Sequence, residues 1–224
     1  VYLDQPVFSL YDYTGNRPPK TTTSLPAPDA AAEGQLQWNQ EGWVLSAKNI
    51  RITNGTFSND KETGRAPYTD QFDGLHLRFG SINASMSNIL FAKDTIALNI
   101  KLATKEKSGF EVTQLASNMK ITPSLMEFSE LDIQTPKSRV GNYYAMRYDN
   151  FNADMSDFIH RVMLEGNFVN SSIHSDDIAY FAPQLKTWNR VLNFSGRARG
   201  RIDNLAVRNM NIQSGNTAVT GNIS

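Results

Sequence analysis

The 224-residue chain contains no cysteine, which removes disulfides, thiolate nucleophiles and thiolate metal ligands together. Such an absence suits a reducing cytoplasm and equally an envelope protein that does without disulfides. Histidine is nearly as scarce. His76, His160 and His174 each lack a second His at ligand spacing, so a zinc or copper site has no usual ligand set, and no metal or cofactor is expected. No apolar run approaches the ~20 residues that a membrane helix needs. The N-terminal Val1-Tyr2-Leu3-Asp4 has neither a basic n-region nor an h-region. The glycine patterns of serine hydrolases, dinucleotide enzymes and P-loop NTPases are also missing, and with them the usual grounds for an enzyme. Excess charge is absent too. The 22 basic and 22 acidic residues cancel, so nothing global steers the chain to nucleic acid or an anionic membrane, and a partner must be recognised locally.

What the sequence does have is parity. Leu75, Leu77 and Phe79 are apolar at odd positions, with His76 and Arg78 between them. Past Gly80-Ser81 the parity flips to Ile82, Ala84 and Met86, then to Ile89 and Phe91, then to Ile96, Leu98, Ile100 and Leu102. A period of two means half-buried strands, and the pattern continues through Phe110 and Val112, Met119 and Ile121, Phe128, Leu131 and Ile133, Tyr144, Met146 and Tyr148, and Val162 with Leu164. Asn54-Gly55, Asn118, Gly141-Asn142, Gly166-Asn167 and Gly215-Asn216 read as the turns between strands, because these residues tolerate positive φ. A continuous antiparallel meander is expected.

The organisation is then a strand segment over 1–13, a Pro/Thr/Ala-rich loop or linker over 14–35, and a β region over 36–224. The first residues read as a strand and so do the last, Val219 to Ile223, with no closing turn, which suggests a segment of a longer protein. Helix signals are short. Ser175-Asp176-Asp177 can cap a turn or two through Ile178 and Phe181 before Pro183, and Asp154 to His160 can form another. Neither is long enough for a βαβ crossover.

The close carboxylates Asp176-Asp177 and Asp154/Asp157 fit helix caps better than acid–base pairs. Asn59 to Gly64 lacks the alternating carboxylates of a calcium loop and reads as a turn. His76 reads as the polar side of a strand. The Asn-x-Ser/Thr triplets at Asn54, Asn83, Asn170, Asn193 and Asn222 read as turn and strand-face residues. Arg197, Arg199 and Arg201 alternate with Ala198, Gly200 and Ile202, placing three guanidinium groups on one strand face. That stripe is a solvated outer face, or a contact for a headgroup phosphate or a partner. It is too short for DNA.

Two stretches carry a family resemblance: Asp176-Asp177-Ile178-Ala179-Tyr180-Phe181-Ala182-Pro183-Gln184-Leu185, and Ser195-Gly196-Arg197-Ala198-Arg199-Gly200-Arg201-Ile202-Asp203-Asn204-Leu205 followed by Gly215-Asn216-Thr217. Ile50 to Phe57, Phe72 to Leu75, Asn88 to Phe91 and Lys107 to Phe110 match in the same way. Over about Gln35 to Ser224 the chain resembles the N-terminal half of TamB-type proteins of Bacteroidetes, in the AsmA-like envelope family. The resemblance implies an elongated, curled sheet open along one side, held in the periplasm by an inner-membrane anchor. It implies a role in phospholipid movement and, with an outer-membrane β-barrel partner, in outer-membrane assembly. A membrane helix is not found here, which departs from the family pattern.

The fold expected is therefore all-β, an elongated curled antiparallel sheet with an apolar inner face and one or two short helices. The groove would shelter acyl chains on Leu75, Leu77, Phe79, Ile82, Met86, Ile89, Phe91, Ile96, Leu98 and Ile100, since a large bare apolar patch is rarely tolerated. An interaction module that binds outer-membrane strands, or a second copy of itself, by edge-to-edge pairing is the alternative. A β-helical carbohydrate-active enzyme is a third reading and requires clustered carboxylates on neighbouring coils.

Overall fold

A computed structural model describes residues 1–12, 38–62 and 65–224. The expected linker over 14–35 and Thr63-Gly64 lie outside the described residues. The short strands β1 (Tyr2–Asp4) and β2 (Val7–Asp12) lead into the long strands β3 (Val44–Lys61) and β4 (His76–Ala92). After them come β5 (Thr95–Glu106), β6 (Glu111–Thr122), β7 (Leu125–Gln134) and β8 (Arg139–Arg147), then the helical turns α1 (Phe151–Ser156) and α2 (Phe158–Arg161). The chain finishes with β9 (Met163–His174), α3 (Ser175–Ala179), a 3-10 turn at Pro183–Leu185, β10 (Val191–Arg201), β11 (Asn204–Ser214) and β12 (Thr217–Ile223).

All the strands form one sheet, and from β3 to β12 the spatial order is the sequence order, antiparallel throughout. This is the expected meander, and it rules out the coils of a β-helix. The exception is the first segment. β1 and β2 both run parallel to β3, along its outer edge, so residues 1–12 belong to the same sheet as the rest. They are separated at Gln5-Pro6, opposite Asn54-Gly55. There Gln5 N–H donates to Thr53 O and Thr56 N–H to Pro6 O, both at 2.8 Å.

Most of the expected turns are not turns. Asn54-Gly55, Asn118, Gly141-Asn142 and Gly166-Asn167 lie inside β3, β6, β8 and β9, as Gly80-Ser81 lies inside β4. Only Gly215-Asn216 joins two strands, β11 and β12. The Asn59–Gly64 turn is likewise corrected, since Asn59 to Lys61 finish β3. The parity flips are β-bulges. Ile82 and Phe79 are three residues apart on β4, whereas their partners Gly55 and Phe57 are two apart on β3, and the extra residue is Ser81 at φ 50°. Similarly, Met86 and Phe91 pair with Ile100 and Ile96, five steps against four, with Asn88 at φ 54°. Asn54, Glu130, Asn170 and Asn209 are inserted in the same conformation, with φ of 50°, 50°, 47° and 52°. Asparagine tolerates the left-handed region, so a residue that reads as a turn also serves as a bulge.

A bulge leaves an N–H without its ladder partner. Side chains on the neighbouring strand accept three of them: Asn54 N–H donates to Asn83 Oδ1 at 3.2 Å, Asn170 N–H to Ser195 Oγ at 3.0 Å, and Asn209 N–H to Asn222 Oδ1 at 2.8 Å. Asn83 also donates from Nδ2 to Ser81 O at 3.0 Å, tying two bulges together. The repeated Asn-x-Ser triplets supply these acceptors.

Two substitutions at Asn88 separate backbone strain from side-chain loss. Asn88→Val should lower unfolding free energy by about 1–2 kcal/mol, because a β-branched residue resists the left-handed conformation. Asn88→Gly should stay within a few tenths. Urea denaturation of the two variants measures the difference.

Candidate functional site: an apolar trough with one tied end

The bulges keep one face apolar across the whole meander. Following partners from strand to strand, Leu45, Phe91, Ile96, Ile121, Met126, Met146, Leu164, Gly200 and Leu205 form one unbroken row from β3 to β11. A second row runs beside it through Leu98, Met119, Phe128, Tyr144, Gly166, Ala198 and Val207. A third joins Ile52, Ala84, Leu102, Leu115, Ile133 and Val140. Rings lie along this face, with Phe128 and Tyr144 stacked at 6.5 Å and Phe168 edge-on to Phe194 at 5.5 Å.

The opposite face is polar. Its rows include Lys120 with Glu127, and Ala145 with Glu165, and Arg199 is paired to Glu165 at 3.7 Å. Arg197, Arg199 and Arg201 are all exposed on β10, on the face expected, with Arg201 3.8 Å from Asp203.

Nine of the ten groove candidates are on β4 and β5. Leu77, Phe79, Ile82, Met86, Ile89, Phe91, Ile96 and Ile100 are half-buried and Leu98 is buried. Leu75 precedes β4 and is exposed. The sequence-based set missed the continuation of the trough on β6 to β11, although the alternation there was legible. What was missing was the register that aligns Ile121, Met126 and Met146 with Ile96. Among the described residues no second layer covers this face. The strands contact their sheet neighbours, and the helices sit at strand ends, α2 against β10 and α3 against β9.

At one end of the sheet the connections meet across it. Phe72, in the β3–β4 connection, donates its N–H to Tyr180 O in the β9–β10 connection at 2.8 Å. Phe181 lies 5.0 Å from Phe72 and 5.3 Å from Phe110, and Tyr180 lies 5.5 Å from Phe110. Lys186 pairs with Asp70 at 2.7 Å. In a flat sheet β4 and β9 would stand about 24 Å apart, so this closure goes with a curled one.

The carboxylates of the region are anchors. Asp73 is buried and receives Arg65 bidentately at 2.7 and 2.9 Å, with N–H donors from Tyr68 and Leu75. The Arg65 hydrogen bond leads in holding its carboxyl well below the usual range, against the opposing effect of burial. Asp154 accepts from the N–H groups of Asp149 and Asn150 and is held low chiefly by Asn150. Asn150 in turn caps α1 through Ala153 N–H. Asp176 is held low by Lys137, and Asp177 accepts from Thr135 Oγ1 and Ser138 Oγ. A general acid is shifted upward, the opposite direction. His76 is on the face expected, that of Arg78 and opposite Leu77, and is buried at the start of β4 with Nδ1 3.4 Å from Asp60. His174 Nδ1 accepts from Asp176 N–H as the cap of α3.

No protein-family model, no curated protein and no solved structure matches the chain.

Because the folded-state pKa of Asp73 is depressed, its contribution is complete above about pH 5 and is lost as pH falls below that. Asp73→Asn should free the amides of residues 65–75 to exchange at neutral pH while the β5–β8 amides stay protected. The native protein should show the same loosening only in acid. Hydrogen exchange corrected for intrinsic rates measures both.

Proposed function

We propose that this chain forms part of a lipid-carrying trough, whose apolar face shelters phospholipid acyl chains along the cell envelope. One observation carries the reading: the row from Leu45 to Leu205 is continuous and apolar, and all the described strands belong to the one sheet that carries it, leaving no second sheet to cover it. Each methylene taken from water into such a trough contributes ~0.8 kcal/mol, so an acyl chain gains affinity from length alone and needs no catalytic group. The absence of deep enclosure suits a carried ligand better than a stored one. The resemblance to TamB-type, AsmA-like proteins supports the same reading and, with it, our proposal of a periplasmic position under an inner-membrane anchor.

Photo-crosslinking residues placed at Phe91 and Ile121 should give phospholipid adducts after mild extraction, and Arg78 and Lys120 on the polar side should give none. Native mass spectrometry reads the adducts. Labelling confined to the polar positions would refute the trough.

A further inference from the structure

We propose that the polar face, on the other side of the sheet from the trough, holds a binding site for an anionic saccharide centred on Arg51 and Lys101. A cavity of about 690 Å³ opens over β3 to β7 and includes both residues, with Ile50, Met86 and Ile100 alternating along the strands with its polar lining. Arg51 pairs with Ser85, and Ser85 with Lys101, so the two cations share one face two strands apart. That spacing is about 10 Å. Neither side chain has an ion-pair or hydrogen-bond partner among the described residues, whereas Arg65, Arg139, Arg147 and Arg161 are each held by a carboxylate.

Beside the cations runs a row of neutral polar groups. Asn49 pairs with Ser87, Ser87 with Asn99, and Asn99 with Asn118. Asn99 Nδ2 donates to Asn118 Oδ1 at 2.9 Å, which orients both amides and leaves their other donors and acceptors free for a ligand. Glu130, exposed at its bulge, adds one carboxylate to the lining and can accept from a hydroxyl.

The ligand class follows from these groups. Two unpaired cations ask for a carboxylate or phosphate. The amide and hydroxyl row asks for a partner rich in both donors and acceptors, which is a sugar. No aromatic ring lines the cavity, so base stacking, the mainstay of single-stranded nucleic-acid binding, has no platform here. The volume lies within the range of small-ligand sites. This site does not depend on the trough and stands if the lipid reading fails.

The test uses the whole chain and four probes: trigalacturonate, a phosphorylated diglucosamine, the neutral maltotriose and inorganic phosphate, each followed by isothermal titration calorimetry. At least one anionic saccharide should bind saturably, more tightly than maltotriose or phosphate. Arg51→Met and Lys101→Met should each weaken that binding about tenfold, as expected for losing a charge-assisted hydrogen bond. Both residues are exposed and unpaired, so thermal unfolding of the variants should match the parent, and a variant that fails this control is replaced by Arg51→Gln or Lys101→Gln. Saturable binding of neither anionic saccharide overturns the proposal. So does phosphate binding as tightly as the saccharides, which reduces the site to a simple anion contact, and so does undiminished affinity in the double variant.

Discussion

Each long strand here has to bend with the curl of the sheet without letting its apolar side chains change faces. A single inserted residue near φ +50° does both. The insertion restores the facing that simple alternation would lose, and the same kink raises the local twist and bends the strand. Asn54, Ser81, Asn88, Glu130, Asn170 and Asn209 are the places where this happens. The apolar rows, the polar rows opposite and the curl that brings Phe72 to Tyr180 all depend on them. Three of the displaced amides are met by Asn83, Ser195 and Asn222, so the bend costs less in unpaired backbone than its geometry suggests.

This also explains what the sequence made legible. Alternation in Leu75 to Leu102 revealed strands, one apolar face and a meander, because period two is a direct consequence of strand geometry. The short helices were readable from Ser175-Asp176-Asp177 and from Asp154 to His160, although the caps are Asn150 and His174 rather than those residues. Bulges were not separable from turns. An Asn with positive φ looks the same whether the next strand reverses or continues, and only a partner strand decides. That ambiguity doubled the number of strands implied between Leu75 and Leu102. It also hid the trough beyond β5, since rows are set by register and register is a relation between distant segments. The polar cavity was invisible for the same reason: Arg51, Ser85 and Lys101 are brought together only by pairing.

The two faces divide the available chemistry. Among the described residues the apolar rows carry no charged group, and Lys120, Glu127, Glu165 and Arg199 lie on the other face. Charged groups near the tied end are consumed in holding it, as in Arg65 with Asp73, Lys186 with Asp70 and Lys137 with Asp176. Those pairs fasten connections that the strands themselves leave loose.

Among the described residues, each strand from β4 to β11 pairs only with the strand before it and the strand after it. A structure wired in this way has no fixed size. A hairpin can be added or lost anywhere along the meander without rerouting a connection or reshaping a core, as in solenoid proteins. The span of the apolar face is thus set by the number of hairpins in the chain, and it changes two strands at a time.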